Sequence, residues 1–272
     1  METLEANEAE TSLDVDFGAC LRAARLVNGT PYDLFIASQR DIVLRSANAD
    51  EMELRLLLMA LTSATEMYFR CVLAGAVSAC PICVESTLDS AQVSLAASQY
   101  YTRDHMPLAL MEGASFSDST AIRKKTKELT LIEIPVDSSV HSIAAALESF
   151  DRVCSLRHAA IHAWGVLSAK NLRELDVKAA DLREVCLDQQ VFLSVAEVCV
   201  NVVRAYNRFR FERLLQRLFK KKRLSGAWEE DKEIFAAVVS LYVSAASLQR
   251  FASLEDAYAC AKVNHLGDTA GT

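Results

Sequence analysis

The chain has 272 residues, of which 51% are hydrophobic and 24% charged, with only 8 glycines and 4 prolines. This composition excludes a disordered or collagen-like chain and predicts a globular protein with a sizeable core. The formal net charge is −7, so positive charge for binding a polyanion must be concentrated in one segment. No proline follows Pro135 and no glycine lies between Gly165 and Gly226, which predicts an all-α fold.

Residues 1–49 are predicted to form an acidic, solvated tail followed by short helices at Ala19–Arg25 and Tyr32–Arg45. No basic residue precedes Arg22, which argues against a secretory or mitochondrial leader. Glu66 and Arg70 interrupt the longest apolar stretch, so no membrane span is expected. We therefore expect a cytoplasmic protein that does not contact a membrane.

Residues 50–170 are predicted to form a helical domain that begins with a long amphipathic helix from Asp50 to Ala79. Pro81 marks its end. The next predicted elements are a helix over Ser86–Tyr101, an irregular segment over Asp104–Asp118, a helix over Ser119–Lys127 capped by Asp118 or Ser119, and a short strand or extended segment over Leu129–Ile134.

The final helix of this region is predicted to run from Ser142 through Trp164 and contains Arg157 and His162, an R-x-x-x-x-H motif. A core-facing stripe is expected at Ile143, Leu147, Phe150, Cys154 and Ile161. His158 is expected to continue this stripe and Arg157 to flank it. A guanidinium can hold a phosphate and an imidazole can move protons, so the pair suits phosphodiester cleavage.

On an ideal helix, residues five apart are separated by about 140° around the axis and about 7.5 Å along it, so Arg157 and His162 do not converge on one atom. A two-fold dimer that placed two such helices side by side would bring two arginines and two histidines into one cleft. The motif therefore predicts a homodimer with a composite site.

The segment Ser155–Gly165 resembles the signature of the HEPN superfamily of helical ribonuclease domains, in which a polar residue, here His158, follows the arginine. Family members also carry an upstream helix with a glutamate and aromatic residues, as in the segment from Glu66 to Arg70. Glu66 and Arg70 are four apart on one helix face. The resemblance covers roughly Asp50–Lys170 and implies a HEPN-like helical bundle.

The resemblance implies metal-independent cleavage of single-stranded RNA, without a cofactor, in a toxin or phage-defence context with a possible antitoxin or defence-system partner. Arg157 and His162 would be catalytic, while His158 would orient the motif and Glu66 would pair with Arg157 or His162. Trp164 replaces the tyrosine that some toxin members carry for modification by an antitoxin. The alternative is a non-catalytic helical module that binds RNA or protein.

Metal and redox chemistry have weaker support in the sequence. His158 and His162 are four apart and could bind zinc, but Ala159 excludes the H-E-x-x-H protease motif and no third ligand is evident. Cys80 and Cys83 form a single C-x-x-C without the second pair that a structural zinc site needs or the strand-to-helix context of a thioredoxin. No metal site is therefore predicted.

Residues 171–272 are predicted to form a helical extension packed on the same core, with one or two helices over Val177–Arg223 and another over Trp228–Ala261. The segment 204–223 is strongly basic, and Tyr206, Phe209, Phe211 and Phe219 interleave with its charges, which suits contact with an RNA backbone. The alternative is that these basic residues form a solvated helix end, where their positive charge interacts favourably with the negative end of the helix dipole. The candidate RNA-binding residues are Arg204, Arg208, Arg210, Arg213, Arg217, Lys220, Lys221, Lys222 and Arg223.

Overall fold

The computed structural model describes residues 16–23, 29–90, 92–139, 141–162 and 165–266. The all-α fold class is confirmed, because the described residues contain helices and no strand. The α-helices are α1 (Pro31–Arg45), α2 (Glu51–Ala79), α3 (Pro81–Ser90), α4 (Leu95–Tyr100), α5 (Met106–Ala109), α6 (Ser119–Thr130), α7 (Ser142–Ile161), α8 (Ala169–Glu174), α9 (Gln189–Lys220), α10 (Trp228–Tyr242), α11 (Ala245–Leu248) and α12 (Leu254–Leu266).

Three long helices, α2, α7 and α9, contact one another and form the centre of the molecule. The start of α2 is set by Asp50, whose side chain accepts from the Glu53 amide while the Glu53 side chain accepts from the Asp50 amide. This capping box satisfies two N–H groups that no helical carbonyl can reach. The Phe69 ring of α2 lies 6.2 Å from that of Phe150 in α7 and 4.9 Å from that of Tyr206 in α9. These aromatic contacts fix how the helices pack.

Buried side chains from residues 29–49, 50–170 and 171–266 belong to one contiguous hydrophobic cluster that extends from Phe35 to Tyr258. Helix α2 is also long and apolar enough to cross a membrane by length and composition. Its Leu58, Leu61, Phe69 and Val72 side chains are fully buried in this cluster. We therefore describe helix α2 as a core helix. Core helices can be as long and as apolar as a membrane span.

Several predicted boundaries in the N-terminal half are wrong. Near the start of the chain, the helix is a short 3₁₀ turn at Phe17–Cys20 rather than Ala19–Arg25, and residues 24–28 lie outside the described part. The predicted helix over Ser86–Tyr101 is two helices, α3 and α4. Pro81 starts α3 because proline suits the first helical turn, and Ser94 caps α4. Leu131 ends α6 in the left-handed conformation.

The short strand or extended segment predicted over Leu129–Ile134 is not a strand, since its first two residues end α6, Leu131 is left-handed and residues 132–134 have no partner strand among the described residues. In the C-terminal half, residues 177–188 are not helical, and α9 begins only after Asp188, which caps it. The helix predicted over Trp228–Ala261 is three helices, because Ser244 caps α11 and α12 starts at Leu254. Short polar side chains restart the helices at these positions.

Candidate functional site

Helix α7 ends at Ile161, so His162 is the first residue beyond it rather than part of a helix that continues through Trp164. The His162 backbone is extended, with φ −95° and ψ 153°, while its N–H still donates to the His158 carbonyl at 3.0 Å. Trp164, which stands at the position of the family tyrosine, lies outside the described residues. The separation of about 140° and about 7.5 Å expected on an ideal helix therefore does not apply to Arg157 and His162.

Arg157 is joined to Glu66 of α2. One Nη atom of Arg157 donates to Glu66 Oε1 at 3.1 Å, and both side chains are about one-fifth to one-quarter exposed. The predicted pairing of Glu66 with Arg157 is thus present. Arg70, four residues from Glu66, instead donates to the carbonyls of Met111 and Ala114.

The two motif histidines lie together on the surface. The rings of His158 and His162 have centroids 4.5 Å apart and both side chains are exposed. The predicted stripe is correct at Ile143, Leu147, Phe150 and Cys154, which are buried. It is wrong at His158 and at Ile161, which is 37% exposed, because α7 emerges from the core in its last turn. Among the described residues, no hydrogen bond joins Arg157 to His162.

The chain after His162 is held against α2. The Val185 N–H donates to the Gly165 carbonyl at 2.9 Å, and Arg55 of α2 donates to the Val185 carbonyl at 2.5 Å. Gly165 has a φ of +86°, and a Cβ at this position would lie 2.8 Å from an Arg55 guanidinium nitrogen. Glycine is therefore favoured here by its positive φ, and a larger residue would also have to displace the end of the Arg55 side chain. This anchor fixes the path of the chain three residues after His162.

Arg157 and His158 line an open groove of about 780 Å³ between α7, α8 and the start of α6. Its charged lining consists of Asp118, Glu148, Asp151, Glu174 and Asp176 opposite Arg152, Arg157, Lys170 and Arg173. Several of these charges are paired, as Arg152 is with Glu148 at 3.5 Å and Lys170 with Glu174 at 3.6 Å. The groove is therefore close to electrically balanced and is a weak attractor for a polyanion.

Sequence reasoning missed the polar residues that shape this groove. Ser155 Oγ donates to Glu174 Oε2 at 2.8 Å, and Asn171 Nδ2 donates to Ser155 Oγ at 3.1 Å. Asp151 accepts from the Ser119 amide and hydroxyl, both at 2.6 Å. The only signal in the sequence was Ser168 three residues before Asn171, a capping box that starts α8.

The predicted basic RNA-binding surface needs correction. Arg210 is fully buried, because its guanidinium donates inward to Thr130 and Tyr242, so it cannot contact RNA. Tyr206 and Phe219 are buried as well and cannot stack on bases. Other candidates are partly engaged: Arg204 donates to the Tyr32 hydroxyl, Arg217 to the Thr130 carbonyl, Arg208 to Glu212 and Arg223 to Glu85.

Five of the nine candidates, Arg208, Arg213, Arg217, Lys220 and Lys222, border two adjoining grooves along α9 that share Arg213 and Gln216. One, of about 400 Å³, lies beside the start of α7, and the other, of about 720 Å³, lies beside residues 131–133. We call the two together the α9 groove. Its ionisable lining is His141, Arg208, Arg213, Arg217, Lys220, Lys222 and His265 against Glu133 and Glu212. Lys221 and Arg223 are exposed nearby but do not line it.

No cluster of three or more histidine, cysteine or acidic side chains suited to a metal ion occurs in the part of the chain that the structure describes. Comparison with known proteins found no matching family model, no similar curated protein and no similar solved structure. The assignment of a function therefore depends on the geometry of the two grooves and the end of α7.

The ion pair between Glu66 and Arg157 allows a direct test of its role. We expect Glu66→Gln to lower the free energy of unfolding by less than about 1 kcal/mol, because both side chains are partly exposed. Urea denaturation of the two proteins measures this difference. Glu148→Gln, which breaks the more exposed pair with Arg152, is the matched control on α7. A loss above about 2 kcal/mol would instead make the pair a structural link between the helices.

Proposed function

We propose that this chain is a metal-independent endoribonuclease that cleaves single-stranded RNA through Arg157 and His162 in a composite site of a homodimer. The observation that carries the proposal is the exposed end of α7, where Arg157 is paired with Glu66, Arg157 and His158 line an open groove, and the His162 ring lies 4.5 Å from that of His158. An arginine held by a carboxylate and two accessible imidazoles suit proton transfer at a phosphodiester.

In the proposed reaction, the ribose 2′-oxygen attacks the adjacent phosphorus and the bond to the 5′-oxygen breaks. The His162 imidazole of one protomer takes the proton of the 2′-hydroxyl beside Arg157 of the other protomer, a water molecule gives a proton to the leaving 5′-oxygen, and the imidazolium returns its proton to the resulting hydroxide. Arg157 holds the phosphate and stabilises its developing negative charge. Glu66 positions Arg157 and His158 orients His162. The products are a 2′,3′-cyclic phosphate and a 5′-hydroxyl.

An exposed apolar stripe on α2 supports the dimer. Met52, Leu56, Met59 and Met67 are 38–65% exposed and lie on one face of the helix. Glu66, which holds Arg157, is at the edge of this face. Exposed apolar side chains along one helix face are often part of a protein interface. A second copy docked there by two-fold symmetry would bring two α7 ends towards one cleft, as the composite site requires.

The α9 groove is the proposed binding site for the RNA backbone, because the groove at α7 has too little net positive charge. Arg213, Arg217, Lys220 and Lys222 provide the charge, and Arg213 also lies over the Phe209 ring at 5.7 Å. The groove borders the start of α7 and Arg157 lies fifteen residues further along it, so the two sites are about 22 Å apart along the helix axis. A strand of several nucleotides would span them.

The cellular context is part of the same proposal. We place the enzyme in the cytoplasm, away from membranes, as a toxin or phage-defence ribonuclease that an antitoxin or another defence-system protein restrains or triggers. The restraining partner would bind at the accessible, catalytic end of α7. A partner that covered His158 and His162 would block the substrate without unfolding the domain.

Substitution at the motif tests the cleavage. In an assay of labelled single-stranded RNA with EDTA present, we expect Arg157→Ala and His162→Ala each to lower the cleavage rate at least about 100-fold, since each removes a group used in the transition state. Arg40→Ala and His105→Ala, at exposed side chains elsewhere, are the matched controls and should retain the activity. Circular dichroism verifies that every variant is folded.

Two outcomes contradict the nuclease. Cleavage that survives both substitutions would show that another site performs it. If the unsubstituted protein binds RNA and cleaves none, the chain is the non-catalytic helical module that is the alternative reading of the same motif.

Salt dependence tests the α9 groove separately. The triple variant Arg213→Ala, Lys220→Ala, Lys222→Ala should bind single-stranded RNA more weakly, and the slope of log affinity against log salt should fall in magnitude by about 2, because about 0.7 counterions are released per phosphate contacted. Fluorescence anisotropy over a salt series measures both. The matched control replaces Arg40, Arg45 and Lys232, which are exposed elsewhere. An unchanged slope would remove the α9 groove from the proposal.

A further inference from the structure

A mostly apolar pocket lies between α9, α10, α11 and α12, next to the α9 groove. Its volume of about 500 Å³ is within the range of pockets that hold one small molecule. We call it the α12 pocket. Its apolar lining consists of Phe211, Leu215, Phe235, Val239, Val243, Leu248, Phe251, Ala257 and Ala261.

Short side chains on α12 leave this space open. Four residues at helical spacing on this helix line the pocket: Ala257, Cys260, Ala261 and Asn264. Larger side chains of α9 and α10 form the opposite wall. Because an alanine fills little of the distance to that wall, a cavity remains where longer side chains would close the contact between the helices.

Polar and apolar groups are separated within the α12 pocket. Leu215, Phe235 and Val239 are buried and form its floor. The polar lining is exposed or half-buried and lies at the mouth, at Glu212, Gln216, Cys260, Asn264 and His265. A nucleobase on this floor would lose the hydrogen bonds that its polar atoms make with water, whereas a hydrocarbon chain has none to lose. The floor therefore suits a hydrocarbon chain.

The mouth of the α12 pocket opens into the α9 groove. Gln216 and His265 line both the pocket and the larger part of that groove. Gln216 also lines the smaller part, together with Glu212. Lys220 follows Gln216 by four residues, which is about 6 Å along the axis of α9. One ligand of moderate length can therefore contact the apolar floor and the cations of the groove.

The α9 groove carries positive charge that the protein does not neutralise. Among the described residues, four cations that line it form no ion pair: Arg213, Arg217, Lys220 and Lys222. Its two carboxylates are already engaged. Glu133 is paired with Lys127 at 2.6 Å, and Glu212 with Arg208 at 2.8 Å. The groove next to the apolar pocket therefore attracts an anion.

We propose that the α12 pocket binds a free long-chain fatty acid. Its hydrocarbon chain lies on the apolar floor, and its carboxylate lies at the mouth, among Arg213, Lys220 and Lys222. Charge-assisted hydrogen bonds from these cations hold the carboxylate. Because the pocket is one cavity of small-molecule size, it takes a single-chain lipid rather than a membrane surface.

The bound fatty acid would compete with RNA, because its carboxylate uses cations that are proposed to hold the RNA backbone. Dodecanoate should therefore weaken RNA binding by the unsubstituted protein and have no such effect on Ala261→Phe, in which the added ring fills the pocket. This consequence rests on the RNA site proposed for the α9 groove, whereas the binding of the fatty acid does not. Equal weakening in both proteins would contradict the shared groove.

Calorimetric titration with dodecanoate, kept below its micelle concentration, tests the pocket. We expect one site per chain and a dissociation constant about tenfold lower than that of decanoate, because each buried methylene group contributes a similar free energy. Ala261→Phe should weaken the binding at least about tenfold, since it removes the space for the chain. Ala259→Phe, at an exposed position of the same helix that does not line the pocket, is the matched control.

Protection of a thiol tests the same site without a substitution. Cys260 is exposed and lines the pocket, whereas Cys20 and Cys186 are exposed elsewhere. At about ten times its dissociation constant, dodecanoate should slow the alkylation of Cys260 about tenfold, because only the free protein reacts. Alkylation of Cys20 and Cys186 should keep its rate. Mass spectrometry of the digested protein measures each cysteine separately.

The role of the cations has its own readout. The triple variant Arg213→Ala, Lys220→Ala, Lys222→Ala should bind dodecanoate about tenfold more weakly and the uncharged dodecanol with unchanged affinity. The variant with Arg40, Arg45 and Lys232 replaced is again the control. Equal loss for both ligands would overturn the placement of the carboxylate.

Three results would overturn the fatty-acid site. The first is a titration in which the unsubstituted protein takes up no dodecanoate. The second is binding that neither protects Cys260 nor weakens in Ala261→Phe, which would place the ligand elsewhere. The third is a change of oligomeric state in Ala261→Phe, measured by light scattering, without a change in dodecanoate binding. That result would make the pocket an interface between copies of the chain.

Discussion

The packing of α7 against α2 and α9 determines where the motif side chains lie. Phe150 and its neighbours bury one face of α7, and the helix leaves the core only in its last turn, which exposes His158 and His162. The ion pair of Arg157 with Glu66 joins this last turn to α2. Because α2 is itself a core helix, the position of the guanidinium depends on the same packing that stabilises the fold.

The sequence predicted most of the long helices and part of the site. The starts of α2 near Asp50 and of α7 near Ser142 were predicted from local signals, whereas the pairing of Glu66 with Arg157 was one of two pairings that the family resemblance implied. The end of α7 at Ile161 was not predicted, because the path of the chain beyond it is fixed by Val185, whose N–H donates to Gly165 and whose carbonyl accepts from Arg55 of α2. Long-range contacts of this kind leave no periodic pattern in the sequence.

Some basic residues of α9 are buried and others are exposed, and the charge of the segment alone did not indicate which. Arg210 points into the core next to Thr130, whereas Arg213 lies one turn further along and borders a groove. A helix packed on one side must bury some positions of any charged run, and only the tertiary contacts decide which.

The composite nature of the site is tested most directly by mixing two inactive variants. Arg157→Ala and His162→Ala proteins would be denatured, combined and refolded together so that mixed dimers form. If each site takes Arg157 from one protomer and His162 from the other, a mixed dimer retains one complete site, and RNA cleavage should return to a substantial fraction of the unsubstituted rate. Mixtures that stay inactive while the unsubstituted protein regains activity after the same refolding would contradict the shared site.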